Sequence, residues 1–195
     1  MSEKKNALHG SPGRDPALLE KYISGCADGS SGALAELYNA VSSPVFAYAL
    51  SVLKNRQDAE DVLHDCFINI WSAAAGYTDL GKPMAWIMTI TRNLCMNLLK
   101  DRRRKDDVDD DDWESCLSES LGISEEDRLT VRACMTKLSD TERKILLLHA
   151  VSGFKHREIA DFLSMPLATV LSKYSRALKK LRSILEKEIY PDEQQ

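Results

Sequence analysis

The stretch Glu158-Ile159-Ala160-Asp161-Phe162-Leu163-Ser164-Met165-Pro166-Leu167-Ala168-Thr169-Val170 decides how the rest of the chain is read. Glu158 to Leu163 has the apolar spacing of a short helix. Ser164-Met165-Pro166 is a tight turn, and a second helix opens near Leu167 and runs to about Ile189, where Pro191 stops it. Its apolar stripe is Val170, Tyr174, Ala177, Leu178, Leu181, Ile184 and Leu185. This is helix-turn-helix spacing. Ile159, Ala160, Leu163, Val170 and Leu178 form its expected core. Thr169, Ser172, Lys173 and Arg176 then point outward, on the side that enters a major groove N-terminus first. Arg and Lys reach guanine edges or phosphates there, and Ser and Thr reach either. Lys179, Lys180 and Arg182 continue the basic surface.

Upstream of this pair, Ser139 and Glu142 spell a capping box, and Ser124 with Asp127 resembles one. Helices are expected near 125–138, 140–151 and 156–163, with Gly153 closing the second. Residues 124–189 thus form one helical domain, followed by a tail, 190–195.

Further upstream the composition changes abruptly. Asp106–Asp127 holds eleven acidic residues and no Lys or Arg. Its core, Asp106-Asp107-Val108-Asp109-Asp110-Asp111-Asp112, repels itself and offers little apolar surface to offset ordering entropy. Residues 105–123 are therefore expected to be a flexible acidic linker.

The net charge of −4 conceals this segregation. Residues 128–189 carry thirteen basic and six acidic side chains, a net +7, whereas residues 1–105 carry only +2. A basic C-terminal domain makes nucleic acid a plausible partner class despite the overall acidity.

Residues 15–104 read as a second helical domain after a flexible lead-in, 1–14. Leu18, Leu19, Tyr22 and Ile23 fit one helical stripe, and Leu34, Leu37, Tyr38 and Val41 a second. Ser43-Pro44 reads as N-cap and first turn of a third helix, ending near Leu53. Asp58 is the expected cap of the next, in which Val62, Cys66, Ile70 and Trp71 share an apolar face with Leu63, Phe67 and Ala74, and which ends at Gly76 in a left-handed cap. Asp58, Asp61 and Asp65 line its polar side. After the loop Tyr77–Lys82, Pro83 opens a helix striped by Ile87, Ile90, Leu94, Cys95 and Leu98 and ending in Arg102-Arg103-Arg104-Lys105, where positive charge complements the helix dipole. Nothing alternates with period two for long, so the fold class is all-α: two helical domains on an acidic tether.

Several function classes drop out. No apolar run approaches the roughly 20 residues of a membrane span, and the N-terminus lacks a secretory signal, so a cytoplasmic protein without stable membrane insertion is expected. The five cysteines contain no Cys-x-x-Cys pair, so no metal is expected and free thiols are. Cys66 and Cys95 fall on apolar faces, which argues for inert burial over redox sensing. No Gly-rich phosphate loop or Ser-His-Asp pattern appears, so neither an enzyme nor a cofactor is expected.

The order of the blocks Asp58–Trp71, Ala85–Arg104 and Leu138–Leu181 resembles bacterial RNA polymerase sigma factors of the small extracytoplasmic-function class, which have only regions two and four. The resemblance spans roughly 20–187 and leaves the linker unmatched. It implies a promoter-specificity subunit without catalysis of its own. By that resemblance the Asp58–Trp71 helix docks on the core polymerase β′ clamp through Asp58, Asp61, Asp65 and Asn69. Tyr77, Lys82, Arg92, Asn93 and Asn97 hold the promoter −10 element, where a base leaves the stack because a stacked base cannot be read on all edges. Arg102, Arg103 and Arg104 bind phosphates. Arg157, Thr169, Ser172, Lys173, Arg176 and Lys179 read the −35 element, and region four touches the β flap. The family also implies an anti-sigma factor that clamps both domains; the acidic linker is either a segment that threads toward the RNA exit path, as in such sigma factors, or a solvated spacer. The sequence departs from the family pattern at Ser164, where Gly is usual, at Leu171, where a basic residue is common, and at Lys155, which replaces the usual cap. The competing reading is a stand-alone helix-turn-helix regulator, for which residues 20–105 would have to supply an effector or dimerisation module.

Overall fold

A computed structural model describes residues 15–78, 81–102 and 113–189. The lead-in 1–14, Arg103, Arg104, the aspartate run and the tail 190–195 lie outside the described residues. Among those described, every regular element is helical: α1 (Pro16–Ala27), α2 (Ser31–Leu53), α3 (Arg56–Ala73), a 3₁₀ turn over Ala74–Gly76, α4 (Pro83–Arg102), α5 (Trp113–Ser120), α6 (Glu125–Lys137), α7 (Asp140–Ala150), α8 (His156–Leu163) and α9 (Leu167–Ile189).

α1 starts where Asp15 accepts the Ala17 N–H at 3.1 Å and Pro16 supplies a preset first turn. It lies close on α2: a Cβ on Gly25 would stand 2.6 Å from Ala33 Cβ, so only glycine permits the approach. α2 corrects the expectation of a break at Ser43-Pro44. It runs unbroken through Pro44, which is buried inside the helix. An interior proline forfeits one backbone bond and crowds the preceding turn, at about 3 kcal/mol. The burial of Leu37, Val41, Val45, Tyr48 and Leu50 along the same helix outweighs that local preference.

α3 is capped by Asn55, not Asp58: the Asn55 side chain accepts the Asp58 N–H at 2.9 Å, leaving Asp58 in the first turn. Nor does the helix end in a left-handed Gly76. It tightens into the 3₁₀ turn, where the Tyr77 N–H reaches Ala74 O at 3.1 Å. α1 to α4 pack around Leu19, Ile23, Leu37, Val41, Cys66, Ile70 and Ile87.

The helices α6 to α9 keep their expected bounds within a residue or two. Ser124 caps α6, and Ser139 and Glu142 form the complete capping box of α7. Ile145, Leu148, Ile159, Ala160 and Val170 are its buried anchors.

Two further features differ from the sequence expectation. Residues 113–120, inside the stretch read as linker, are helix α5, with Trp113 and Leu117 buried. The two units also share buried core. Tyr48 meets Phe162 edge-on with ring centroids 5.8 Å apart, and Lys54 pairs with Asp140 at 3.3 Å. The shared core places Tyr48, Cys66, Ile145, Leu148 and Phe154 in one continuous cluster.

Candidate polymerase and nucleic-acid interfaces

Three surfaces carry the expected functional residues, centred on α3, on α4 and on the α8–α9 pair. The first is the outer face of α3. Asp61, Asp65 and Asn69 are exposed, and Asp58 is half-buried behind its cap. Helical spacing puts Ile68 and Trp71 on the same strip as Asp61 and His64. Ile68 is 52% and Trp71 37% exposed, so this face carries apolar surface beside its acids. Together with Leu34, Tyr38 and Phe67 these side chains line a groove of about 590 Å³ between α2 and α3. The Tyr38 and Phe67 rings in its lining stand 4.8 Å apart. Contiguous exposed apolar surface edged by carboxylates is the composition of a protein interface. Sequence reading found the acids and missed the groove, because its lining comes from two helices.

The second surface is α4 and the turn before it. Asn93, Asn97 and Lys82 are exposed. Tyr77 is half-buried, its ring tilted on Trp86 at 4.8 Å, and Trp86 itself packs against the core. Residues 79–80 of the loop lie outside the described residues, and of Arg102 only the backbone is described, as the last residue of α4. Arg92 does not stand beside Asn93 and Asn97 on open surface. Its Nη1 donates to Phe162 O at 3.0 Å, and its guanidinium lies 5.5 Å from the Phe162 ring centroid. The helix-turn-helix therefore occupies Arg92, the mid-helix arginine expected at the −10 element.

The third surface is the helix-turn-helix. α8 ends at Ser164, whose φ of 53° is left-handed; its N–H and that of Met165 close onto the Ala160 and Asp161 carbonyls. A non-glycine residue there costs about 1 kcal/mol, and the turn is kept by the packing of α8 on α9. At the other end of α8, the Lys155 N–H donates to the Glu158 carboxylate at 2.8 Å, so half of a capping box survives without a capping hydroxyl. Val170 and Ala177 are fully buried, and Leu163 is half-buried. Leu178, expected in the core, is 43% exposed. Seven residues from Val170 is nearly two full turns, so Ala177 inherits the buried face and Leu178 rotates off it.

Arg157, Ser172, Arg176 and Lys179 are exposed, and Thr169 and Lys173 are half-exposed. Arg176 is steadied by Ser172, donating to its Oγ at 3.2 Å. Behind this face, His149 stacks on His156 at 4.4 Å, and both rings meet Tyr174 edge-on. Burial, then the neighbouring His149, holds the His156 pKa below its ordinary value. α9 is also tied to α7: Lys180 Nζ donates to Glu142 at 2.7 Å. Burial alone would raise the Glu142 carboxyl, but Lys180 and Ser139 override it and set it at about 2.

The five cysteines are free. Burial pushes the Cys66 thiol up to about 11 and the Cys95 thiol up to about 12, which makes both poor nucleophiles at neutral pH.

The comparisons agree with this geometry unit by unit. Residues 37–105 match the Sigma-70 region 2 family and residues 128–181 the Sigma-70, region 4 family. The ECF RNA polymerase sigma factor SigK of Mycobacterium ulcerans is 24% identical over 186 residues, covering 92% of this chain and 99% of that protein. SigK of Mycobacterium tuberculosis is 25% identical over 182 residues, covering 90% and 97%. Among solved structures, CnrH in complex with the cytosolic domain of CnrY superposes with a TM-score of 0.56 at 22% identity, covering 86% of this chain and 96% of that one. The sigma factor RpoE of Bartonella quintana, in complex with the anti-sigma factor NepR, gives 0.55 at 22% identity, covering 76% and 94%. With both units matched, in order, across almost the whole length of these relatives, the chain belongs to the extracytoplasmic-function sigma factors of bacterial RNA polymerase.

Proposed function

We propose that each of the three surfaces has one task in transcription initiation. The α3 strip of Asp61, Asp65, Asn69, Ile68 and Trp71 docks on the β′ clamp of core polymerase. The Tyr77–Lys82 loop with Asn93, Asn97 and a released Arg92 holds the melted −10 strand, and Arg102 at the end of α4, with Arg103 and Arg104 next in sequence, binds its phosphates. Arg157, Thr169, Ser172, Lys173, Arg176 and Lys179 read the −35 duplex, while the same unit meets the β flap. The chain directs initiation in the cytoplasm and does no chemistry of its own. Among the described residues, no helix is long and apolar enough to cross a membrane. The observation that carries this reading is the pairing, in one chain, of an exposed acid-and-apolar face on α3 with an open basic face on α9.

The relative placement of the units adds a condition. The −10 and −35 elements lie roughly 25 base pairs apart, about 85 Å at about 3.4 Å per base pair. A compact chain of this length has a radius of gyration of about 16 Å and is roughly 40 Å across. The closed arrangement cannot span a promoter, so the units separate on the polymerase. An anti-sigma factor that covers the α3 groove competes with the clamp for the same residues.

Transcription in vitro with purified core polymerase and a promoter library tests the reading. Initiation at specific start sites on adding this chain is the expected result. Failure to initiate, together with failure to bind core, would return the protein to the stand-alone regulators.

A further inference from the structure

Helix α5 lies between the two matched segments and is absorbed by neither, yet it touches both units. On one side Ser43 Oγ of α2 donates to Ser120 O at 3.0 Å. Arg56, at the start of α3, donates to Glu119 Oε2 at 3.2 Å and reaches Cys116 Sγ at 3.9 Å. On the other side Trp113 is 3% exposed, with the Arg143 guanidinium 4.4 Å from its ring centroid. Arg143 is itself fixed, donating to Met135 O at 2.8 Å, Leu138 O at 3.2 Å and Asp140 at 3.0 Å. Leu117 is fully buried and shares a cluster with Leu50 and Leu53 of α2 and with Met135, Leu138 and Leu146 of the C-terminal unit. An eight-residue helix has no stability of its own in water. Its order is borrowed from the two surfaces it joins.

We infer that α5 is a staple that holds the free protein in its closed, promoter-incompetent form and undocks when the two units separate. That the closed form is inactive rests on the sigma reading above; that α5 holds it closed does not. The logic is one of populations. If only a small open fraction can engage the polymerase, the apparent affinity is reduced by that fraction, and weakening the staple restores it. The indole-guanidinium stack and the buried Leu117 supply the grip on the C-terminal side. The Arg56–Glu119 pair and the Ser43–Ser120 bond align the helix on the other.

The test uses the full chain in three forms: wild type, Trp113→Ala and Trp113→Phe. Small-angle X-ray scattering reports the radius of gyration, and circular dichroism reports helical content. Binding to core polymerase is measured in parallel. The wild type is expected near the compact value of about 16 Å. Trp113→Ala is expected to expand while keeping the helical content of the two units, and to bind core several-fold more tightly. Trp113→Phe keeps a ring under Arg143 and is expected to stay compact. Should Trp113→Ala fail to fold, Glu119→Arg decides. It places like charges at an exposed pair outside both cores, and its expansion should be reversed by adding Arg56→Glu. An already extended wild type would overturn the inference, and so would Trp113→Ala and Glu119→Arg chains as compact as wild type. Expansion with no core binding by any form would leave the staple standing and sink the polymerase reading, so the two failures are distinguishable.

Discussion

Arg92 on α4 and Arg176 on α9 are the same residue type, on helices of similar length, in the two units of one sigma factor. Arg176 is exposed and, among the described residues, is held by Ser172 alone on an uncovered face. Arg92 is drawn into the seam, bonded to the Phe162 carbonyl and laid over its ring. The difference teaches that a helix face assigned from sequence states which side is polar, not which side another part of the chain will cover. On the proposed roles, the region 4 face is open in the free protein, and the region 2 face is completed only when region 4 leaves.

The strongest way to break this comparison is to attack the shared core. Ile145 is fully buried in the cluster that joins the units. Ile145→Ala should cost about 2–5 kcal/mol in chemical denaturation, and the wild type should unfold in one transition. Separate transitions for the two units in the wild type would show the seam to be negligible. Next in size is Glu142, which ties α7 to α9. Glu142→Gln should cost about 1.5–3 kcal/mol. Its folded carboxyl sits at about 2 against an ordinary 4.5, so its contribution is full above the ordinary value and is lost as pH falls from there toward 2. The wild type should lose stability over that acid window, and the variant should lose less.

How much of this was legible in the sequence differs between the units for a physical reason. α7, α8 and α9 are bounded by local devices, the Ser139–Glu142 box and the Ser164 turn, and these are written in neighbouring residues. The unbroken α2 was not legible, because Pro44 is a local stop signal overruled by burial from elements far away in sequence. α5 was missed because the aspartate run dominated its window. Trp113, Leu117 and Leu121 repeat at four-residue intervals and could have revealed it. The α3 acids were plain, but the groove beside them needs Leu34 and Tyr38 from another helix. The capture of Arg92 by Phe162, seventy positions away, has no sequence signal at all.

A sharper form of the comparison uses the two arginines directly. Arg176→Ala should weaken promoter binding by the holoenzyme by about 1–3 kcal/mol while moving the stability of the free chain by less than about 0.5 kcal/mol. Arg92→Ala should do what Arg176→Ala does not and destabilise the free chain, by about 1–2 kcal/mol, because it removes a hydrogen bond and a ring contact across the seam. Equal stability of the two variants would remove the distinction. The smallest effect is expected at His156. Burial and then His149 keep its pKa below the ordinary 6.5, so its neutral form favours the fold. That contribution is full above 6.5 and declines as pH falls below it. The Tm of the wild type should therefore drop slightly more than that of His156→Gln between about pH 7.5 and 5.5.

The central claim is that this sigma factor must open to work, and locking the seam tests it most directly. Lys54 and Asp140 meet across the seam at 3.3 Å and are both partly exposed. With Cys116 replaced by serine, a Lys54→Cys, Asp140→Cys chain can be bridged by a reductant-cleavable bis-maleimide and assayed for transcription with core polymerase. The locked protein should fail to initiate and should recover when the bridge is cleaved. A locked protein that initiates as well as the cleaved one would contradict the account.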